Sequence, residues 1–366
     1  QSICDGKTGE FAPEICDLVK SLEAMARKIE TRRRKKGMLH LDLPDVELVL
    51  DDNDKVIDAV PADDSYSHTI IEMFMVEAND AAATVLDKKD VAFLRRIHPD
   101  PDTNASGQLG AFTKVCGHRL PRKLTRKALQ ELLAAVKGRD ESYAVNLAVL
   151  RTFQQAEYSP LRVGHFALAS DHYCHFTSPI RRYPDLTIHR LLGDYINDKL
   201  SSDPADLSEL TQLGESCTTA EKTSEAAERE LREVLILQFL AGKVGETFEG
   251  IITGVTNFGM FVQSPRFLVE GLIRITELGD DWWEVSAKDG TIRGEVTGTK
   301  YRIGDRIGVK IAGVEVSARQ LNLVIDRESE KSSKKKKTRK KAKGKAKGKG
   351  KGKANTKTRQ GKKRKS

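Results

Sequence analysis

The residue types most suited to chemistry lie in one run, residues 175–190, which reads HFTSPIRRYPDLTIHR. Ser178 is a good N-cap because its hydroxyl can accept a hydrogen bond from a free backbone N–H. Pro179 suits the first helical position, where its missing N–H has no consequence. The run therefore predicts a helix over about residues 179–199, whose start presents free N–H groups and the positive end of the helix dipole.

Two adjacent arginines add charge to this predicted helix start. Arg181 and Arg182 carry planar guanidinium groups that are permanently charged. Guanidinium and free N–H groups together favour an anionic oxygen, and a phosphate is the natural ligand for them. The alternative, judged from the residues alone, is a capped surface helix in which Arg181 pairs with Asp185 one turn further on.

The remainder of the first 240 residues must position this run, and its apolar periodicity is mainly helical. Gly37 is a plausible end for the first, basic helix. The predicted helices cover about residues 12–36, 66–86, 104–116, 123–137, 142–156 and 206–240, and the predicted strands cover 46–50, 56–60, 93–98 and 162–170. The second, apolar helix carries Glu72, for which a solvated position and a functional one are both open.

Beyond Gly245 the pattern changes from helical to strand-like. Residues 250–262 indicate two strands around a glycine-bearing bend, and short strands recur about every ten residues up to Ile325. This spacing is typical of a small five-stranded barrel. Phe258 and Phe261 are its best candidates for stacking on the bases of a single strand. Simple alternation puts the two rings on opposite faces unless the glycine bend intervenes.

Other residues of this region are weaker candidates for the same role. Trp282 and Trp283 are adjacent in the sequence, and we expect one of them at the surface. Arg274, Lys310 and Arg319 are equally open to two interpretations, as phosphate contacts or as solvated charges. Phe258 and Phe261 therefore stay the better candidates.

The charge of the chain is divided between an acidic body and a basic tail. The net charge is +9, but residues 331–366 carry 20 lysines and arginines and no acidic residue. Residues 1–330 therefore have 42 basic against 53 acidic residues, a net charge of −11. A block of like charge is typical of a disordered tail, and this one would bind a polyanion in a nonspecific, salt-sensitive way. A purely solubilising tail is the alternative.

Cysteine usage and hydropathy bear on the compartment. The five scattered cysteines form no C-x-x-C pair, which indicates neither a zinc site nor a disulfide framework and favours a reducing cytoplasm. No stretch reaches the ~18 uninterrupted apolar residues of a membrane span, and the start lacks the order of a signal peptide. We therefore expect a cytoplasmic protein without a membrane partner. Because residue 1 is Gln, we also expect a fragment or a processed product.

Residues 162–168, RVGHFAL, and the run 175–190 resemble the signature of the ribonuclease II / ribonuclease R (RNB) family. The resemblance follows the order of that family over about residues 1–327. Within this span, residues 254–262 and 271–273 resemble the OB-fold barrel first described as a repeat in the largest small-subunit ribosomal protein. The family consists of processive 3′-to-5′ exoribonucleases that use magnesium and release nucleoside 5′-monophosphates. The resemblance implies single-stranded RNA as substrate, and a ribosome or RNA-degradation machinery would fit as a further partner.

The resemblance also assigns roles to individual residues. Arg181 matches the catalytic arginine, which stabilises charge that develops on the phosphate. Ser178, Arg182 and Tyr183 match positions that hold the RNA or shape its site. Phe93 is the candidate for the ring that clamps the last base, the alternative being that Arg95 stands in the place of that ring.

The two-metal chemistry of the family needs closely spaced aspartates. Their pattern, Asp-Pro-x-x-x-x-Asp-x-Asp-Asp, has no copy in this sequence. We therefore expect Mg²⁺ as the cofactor, its ligands upstream of this chain and none within it. Residues 51–54, 63–64 and 100–102 hold the alternative acidic clusters, all of them in turns or without the expected flanking residues.

Together these observations predict an α+β chain in three parts. The C-terminal part of an RNB catalytic domain covers residues 1–240, an all-β OB-fold barrel covers 241–327, and a disordered lysine-rich tail covers 328–366. RNA would thread from the barrel and tail toward Ser178. Without the aspartates we expect this chain to be inactive alone, and a non-catalytic RNA-binding adaptor or a gene remnant is the alternative.

Overall fold

A computed structural model of the chain describes residues 1–7, 9, 11–139, 141–200, 207–286 and 290–327. The predicted disordered tail, residues 328–366, lies outside these described residues. No helix in the described ranges combines the length and apolar character that crossing a membrane requires. The described chain is mainly helical up to residue 241 and rich in strands beyond it, which confirms the predicted α+β class.

The helical part is built from seven helices within the described ranges. They are α1 (Pro13–Lys36), α2 (Tyr66–Lys88), α3 (Thr103–Val115), α4 (Arg126–Val136), α5 (Ser142–Thr152), α6 (Tyr183–Ile196) and α7 (Leu207–Ala241). Gly37 ends α1 as predicted, because its φ of 116° is left-handed and a Cβ there would lie 3.2 Å from Cδ of Arg126. Helices α3 and α4 begin where the side chains of Asp102 and Thr125 accept backbone N–H groups.

Short strands connect these helices, and strands form most of the described chain beyond residue 241. They are β1 (Val46–Leu50), β2 (Val56–Pro61), β3 (Arg95–Ile97), β4 (Glu157–Ser159), β5 (Thr247–Thr256), β6 (Gly259–Gln263), β7 (Glu270–Arg274), β8 (Trp283–Ser286), β9 (Thr291–Gly294), β10 (Lys300–Arg302), β11 (Arg306–Glu315) and β12 (Gln320–Ile325). Strands β1 and β2 form an antiparallel hairpin, and β3 pairs with β4.

The second half of the chain closes into a barrel of five strands in the order β11, β12, β7, β6, β5. All its neighbours are antiparallel except β12 and β7, which pair in parallel at Asn322 and Leu272. The register of β5 against β6 shifts between Ile252 and Gly254, which bends the strand as barrel closure requires. The barrel was predicted, but the separate three-stranded sheet β10-β9-β8 beside it was not.

The end of α7 and the barrel share one apolar core. Ile236, Leu237 and Leu240 of α7 are buried in the same cluster as the barrel residues. The β1–β2 hairpin adds Ala59 to this cluster, and Asp58 beside it pairs with Arg266 at 2.6 Å. The helical part therefore supports the barrel through α7 and the hairpin together.

The predicted strand over residues 162–170 is wrong. The chain turns back on itself there, since the backbone N–H of His165 donates to the carbonyl of Ser170 at 2.7 Å. Gly164 and Ala169 have left-handed φ values of 83° and 51°, which no strand adopts. The alternation of residue types in the sequence therefore indicated a strand where the chain forms a turn, with Phe166 buried.

Candidate functional site

An open cleft of about 530 Å³ separates α2 from the segment that precedes α6. One wall is a face of α2, and the other comes from residues 173–182, which we call the signature loop. The lining residues are Ser67, His68, Ile71, Glu72, Met75, Val76, Asn79, Tyr173, His175 and Arg182. Glu72 is exposed on this wall, so the cleft brings it close to the loop that sequence patterns singled out.

A buried amide on α2 anchors the start of the signature loop. Asn79 is only 4% exposed. Its Nδ2 donates to the Tyr173 hydroxyl at 3.0 Å, and its Oδ1 accepts the backbone N–H of Phe176 at 2.9 Å. Because both ends of the amide are used by the loop, Asn79 fixes the loop relative to α2.

A buried carboxylate on α6 anchors the other end of the loop. Asp185 is fully buried, and its Oδ1 accepts the backbone N–H of Ser178 at 2.8 Å and Nη2 of Arg182 at 2.6 Å. These charge-assisted bonds are the strongest that hold the loop. Asp185 Oδ2 and Arg182 Nε are also buried, and neither has a hydrogen-bond partner among the described residues.

The predicted start of the helix at Ser178 is wrong by several residues. Helix α6 begins at Tyr183, with extended Arg182 as its N-cap and Pro184 in its first turn. The carbonyl of Ser178 accepts the N–H groups of both Arg181 and Arg182, at 3.3 and 3.1 Å. Those N–H groups are therefore not free to bind an anion, and Ser178 shapes a turn rather than capping a helix.

The two arginines of the loop have different surroundings. Arg182 is bound to Asp185, so the alternative of a surface helix in which Arg181 pairs with Asp185 is wrong. Arg181 is exposed and makes no ion pair with any carboxylate of the described residues. Ile180 beside it is fully exposed, and Tyr183 is 49% exposed. The guanidinium of Arg181, at the tip of the loop, is therefore exposed and unpaired with any described carboxylate.

Two neutral histidines lie in the loop and in the turn before it. Burial, followed by the charges of Arg182 and Arg96, lowers the pKa of His175 to about 3. Burial and the nearby His98 lower the pKa of His165 to about 3 as well. His165 Nδ1 accepts the backbone N–H of Leu168 at 3.4 Å, which requires the neutral ring.

His175 connects the loop to the long helix α7. Its Nδ1 lies 2.8 Å from the Tyr158 hydroxyl, whose pKa burial raises to about 12. The guanidinium of Arg96 lies 4.6 Å from the centre of the Tyr158 ring and forms two hydrogen bonds with Glu221 of α7. Sequence analysis missed Tyr158 and Glu221, since no local spacing relates either residue to the loop.

The expected base clamp is not available at Phe93. This ring is 1% exposed and packs with Leu86, Cys174 and Ile188. The guanidinium of Arg95 lies 4.0 Å from the ring centre and donates to Asp87 at 2.6 Å. Burial of both side chains excludes stacking of Phe93 on a base in this structure, and it equally removes Arg95 from the surface.

The two phenylalanines of the barrel lie together. Phe258 is 57% exposed, and its ring centre lies 5.9 Å from that of Phe261 in a perpendicular arrangement. The bend between them depends on Gly259, because a Cβ there would lie 2.1 Å from the carbonyl oxygen of Ile273. The glycine bend thus brings the rings to one face, where simple alternation would have separated them.

The described residues do not fit a divalent metal. Within the described ranges no three His, Cys, Asp or Glu side chains are grouped closely enough to hold an ion. In the cleft the single carboxylate of Glu72 shares the lining with the guanidinium of Arg182, which disfavours a cation. We therefore assign no metal ligand among these residues.

Comparison with known proteins agrees with this architecture. The family model described as RNB domain matches residues 1–198, and the one described as S1 RNA binding domain matches residues 242–326. The fold thus combines an RNB-type domain with an S1-type barrel. Since the RNB match covers more than half of the chain, the chain belongs to the RNB family, as predicted.

Its relatives include several ribonucleases R. The chain is 33% identical to ribonuclease R of Aquifex aeolicus over 321 residues, 87% of this chain and 46% of the relative. Identity to ribonuclease R of Escherichia coli K12 is 31% over 328 residues, 86% of this chain and 40% of the relative. The chain therefore spans less than half the length of these two curated relatives.

Solved structures give the same result. The apo form of Mycoplasma genitalium RNase R superposes with a TM-score of 0.82 at 28% identity, over 88% of this chain and 52% of that one. The same protein in complex with ribose methylated single-stranded RNA gives a TM-score of 0.81 at 27% identity, over the same shares.

Proposed function

We propose that this chain is part of a 3′-to-5′ exoribonuclease of the ribonuclease R type, which hydrolyses single-stranded RNA to nucleoside 5′-monophosphates. The observation that carries the proposal is the anchored signature loop with Arg181 free at its tip. Asn79 and Asp185 hold both ends of the loop, while Arg181 is exposed and unpaired with any described carboxylate. A guanidinium on an anchored backbone, with no described carboxylate paired to it, is suited to stabilise charge on a phosphate.

In this proposal the residues of the loop have separate roles. Arg181 contacts the phosphate at the 3′ end of the strand. Ser178 and Arg182 act through Asp185, because their bonds to that carboxylate hold the backbone on which Arg181 stands. Tyr183, half exposed beside Arg181, is a further contact for the strand.

The barrel would hold the strand further from its 3′ end. Phe258 and Phe261 form an aromatic pair on one face, and such pairs stack on bases without regard to sequence. The RNA complex of the Mycoplasma relative supports a strand of this kind as the ligand. We propose that RNA runs from this pair toward the signature loop, and that the lysine-rich residues 328–366 add nonspecific affinity.

Hydrolysis itself needs a component that the described residues do not supply. The family resemblance implies Mg²⁺, which would activate water and stabilise the leaving oxygen. Since no described ligand set fits this ion, we propose that the 366-residue chain binds RNA but does not cleave it alone. A cytoplasmic location and a partner in the ribosome or the RNA-degradation machinery stay predictions of the sequence.

A gel assay with labelled single-stranded RNA and Mg²⁺ tests this proposal. We expect the purified chain to retain the RNA and release no mononucleotides. Steady release of mononucleotides by the chain would contradict the proposed inactivity, and failure to bind RNA would contradict the proposed function as a whole.

The role of Arg181 needs a preparation of the protein that has hydrolytic activity. There, Arg181→Ala is expected to lower turnover by about a hundredfold and to leave RNA affinity unchanged, since its bond forms in the transition state. Arg181→Lys is the matched variant, which keeps the charge and loses the planar fork. A loss of affinity with unchanged turnover would make Arg181 a residue that only positions the strand.

The second candidate is a non-catalytic RNA-binding adaptor. The observation in its favour is the same lack of a fitting ligand set in the described part of the chain. The two candidates differ in the gene, because only an enzyme requires the aspartate-rich pattern to be encoded upstream of Gln1. Its presence there would favour the exoribonuclease, and its absence would favour the adaptor or a gene remnant.

A further inference from the structure

Two adjacent tryptophans at the start of β8 have opposite environments. Trp283 is partly buried against the barrel core, its ring centre lies 5.9 Å from that of Tyr301, and its Nε1 donates to the carbonyl of Gly279 at 3.1 Å. Trp282 is 77% exposed. Burial of a large apolar side chain stabilises a fold, so the exposed Trp282 forgoes a stabilisation that its neighbour obtains.

The backbone under Trp282 is held firmly. The carboxylate of Asp281 accepts the N–H groups of Trp282, Val296 and Thr297 at 2.7, 2.9 and 2.9 Å, and the Thr297 hydroxyl as well. The carbonyl of Trp282 accepts the N–H of Glu295 at 2.9 Å. These bonds join the start of β8 to the turn after β9, so the backbone that carries the exposed ring is held in place.

Gly294 lies directly against this carboxylate. A Cβ at Gly294 would lie 2.1 Å from Oδ2 of Asp281, so any side chain there would displace the carboxylate. Gly294 pairs directly with Trp283 in the β8–β9 ladder. The backbone that carries Trp282 is therefore part of the sheet and not a loose loop.

Basic side chains lie on the exposed face of the same sheet. Arg293 and Lys300 are directly opposite each other in the β9–β10 ladder, and both are exposed. Like charges directly opposite on one face repel, and neither residue forms an ion pair with a carboxylate of the described residues. On the neighbouring strand β8, Glu284 lies directly opposite Arg293. Arg302 on this face pairs with Asp305 at 3.8 Å. An anion between Arg293 and Lys300 would relieve the repulsion.

We propose that the β8–β10 sheet is a second contact surface for single-stranded RNA, with a base stacked on Trp282 and a phosphate bound by Arg293 and Lys300. An exposed aromatic ring and a pair of cations on one sheet are the combination that binds single strands regardless of sequence. This surface is separate from the Phe258–Phe261 pair, since it belongs to a different sheet. The inference rests on the proposed function, because it extends the grip of the chain on the same ligand.

Tryptophan fluorescence tests the stacking directly, because the sequence contains only two tryptophans. In a Trp283→Phe variant the emission comes from Trp282 alone. We expect titration with a short oligouridylate to quench this emission, and added salt to reverse the quenching. An abasic oligonucleotide of equal length is the control, and it should bind with little quenching. Equal quenching by both strands would overturn the stacking.

Binding by the otherwise unaltered chain gives a second readout that does not depend on Trp283→Phe folding well. Trp282→Ala is expected to weaken oligouridylate binding about tenfold. Arg293→Gln is expected to lower the slope of log K against log salt by about 1, as for the loss of one phosphate contact. Exposed Lys127 on α4 is the matched control, and Lys127→Gln should leave the slope unchanged.

The possible failures are distinguishable. If the unaltered chain binds no oligouridylate, the proposed function fails together with this inference. If the chain binds, and Phe258→Ala with Phe261→Ala weakens binding while Trp282→Ala does not, this inference alone is overturned. The β8–β10 sheet would then face another class of partner, such as a protein.

Discussion

The signature loop and the Phe258–Phe261 bend present their key side chains by different means. The loop has little regular structure, and buried side chains on two helices fix it, Asn79 on α2 and Asp185 on α6. The bend is fixed by backbone pairing of β5, β6 and β7 and by one glycine that no other residue can replace without a clash. The conformation of the loop therefore depends on side chains of two helices, and the conformation of the bend depends on backbone pairing within the barrel.

This difference predicts different sensitivities. Removal of a buried partner should disturb the loop from a distance, whereas substitution of the exposed Phe258 or the half-buried Phe261 should leave the barrel folded and change only binding. Failure of any of the first three predictions below would contradict this difference between the loop and the bend. The fourth compares two neighbouring arginines of the loop.

The largest effect is expected at Asp185. In Asp185→Ala the guanidinium of Arg182 and the N–H of Ser178 lose their shared buried acceptor, so we expect a loss of about 3–5 kcal/mol in the free energy of unfolding. Urea unfolding followed by circular dichroism measures it. Asp194→Ala, at an exposed position of the same helix, should change stability by less than about 0.5 kcal/mol. Similar stabilities for both variants would show that the loop is not held by this carboxylate.

Mild acid should destabilise the helical part through two histidines that are only partly exposed, His165 and His175. The pKa values of His165 and His175 are about 3 in the folded chain, against about 6.5 for an unfolded histidine. Below pH 6.5 the unfolded state therefore binds protons that the folded state does not, and stability present above that pH falls as the pH drops toward 3. The expected loss is about 1.4 kcal/mol per pH unit for each histidine.

Urea unfolding at several pH values between 5 and 6.5 checks this dependence of stability on pH. These pH values lie above the range in which carboxylates titrate. His165→Gln should reduce the slope by the share of one histidine. His68→Gln, whose side chain is exposed, is the control and should keep it. A stability that stays constant from pH 6.5 to pH 5 would contradict the neutral state of these rings.

Substitution of the barrel rings should act on binding alone. Phe258→Ala and Phe261→Ala are each expected to weaken binding of a labelled oligouridylate by about 1–3 kcal/mol, the value of one base stack. Fluorescence anisotropy measures the affinity, and Phe11→Ala, another exposed phenylalanine outside the barrel, is the control. Unchanged affinity in both barrel variants would place the main grip elsewhere.

The smallest effect on stability is expected at Arg181. Because this side chain is exposed and unpaired with any described carboxylate, Arg181→Ala should change the free energy of unfolding by less than about 0.5 kcal/mol. Arg182→Ala, its neighbour, leaves the buried Asp185 without its cation and should destabilise strongly. Thermal unfolding of the two variants side by side gives the comparison, and a strong effect of Arg181→Ala would assign that residue a structural role.

Local patterns in the sequence were enough for much of the fold. The end of α1 at Gly37 and the β1–β2 hairpin follow from residues that lie next to each other in the chain. The five-stranded barrel could be predicted from the regular spacing of its strands, since each strand pairs within a short stretch. Family resemblance then related residues 175–190 to a known signature, which periodicity could not do.

Tertiary contacts decided what the sequence could not. Ser178 and Pro179 have the types of a helix start, but the buried carboxylate of Asp185 binds Ser178 and delays α6 to Tyr183. Phe93 has the type of a base clamp, but its burial follows from packing against α2 and α6. Neither burial nor a distant hydrogen-bond partner leaves a local signal in the chain.

Photo-crosslinking tests the path of the RNA most directly. A single-stranded RNA with 4-thiouridine at its 3′ end is bound to the chain, irradiated and digested, and the crosslinked peptides are identified by mass spectrometry. We predict crosslinks from the 3′ end to residues 175–183, and from an internal 4-thiouridine to the peptide that holds Phe258 and Phe261. Crosslinks of the 3′ end that avoid residues 175–183 altogether would contradict the role of the signature loop.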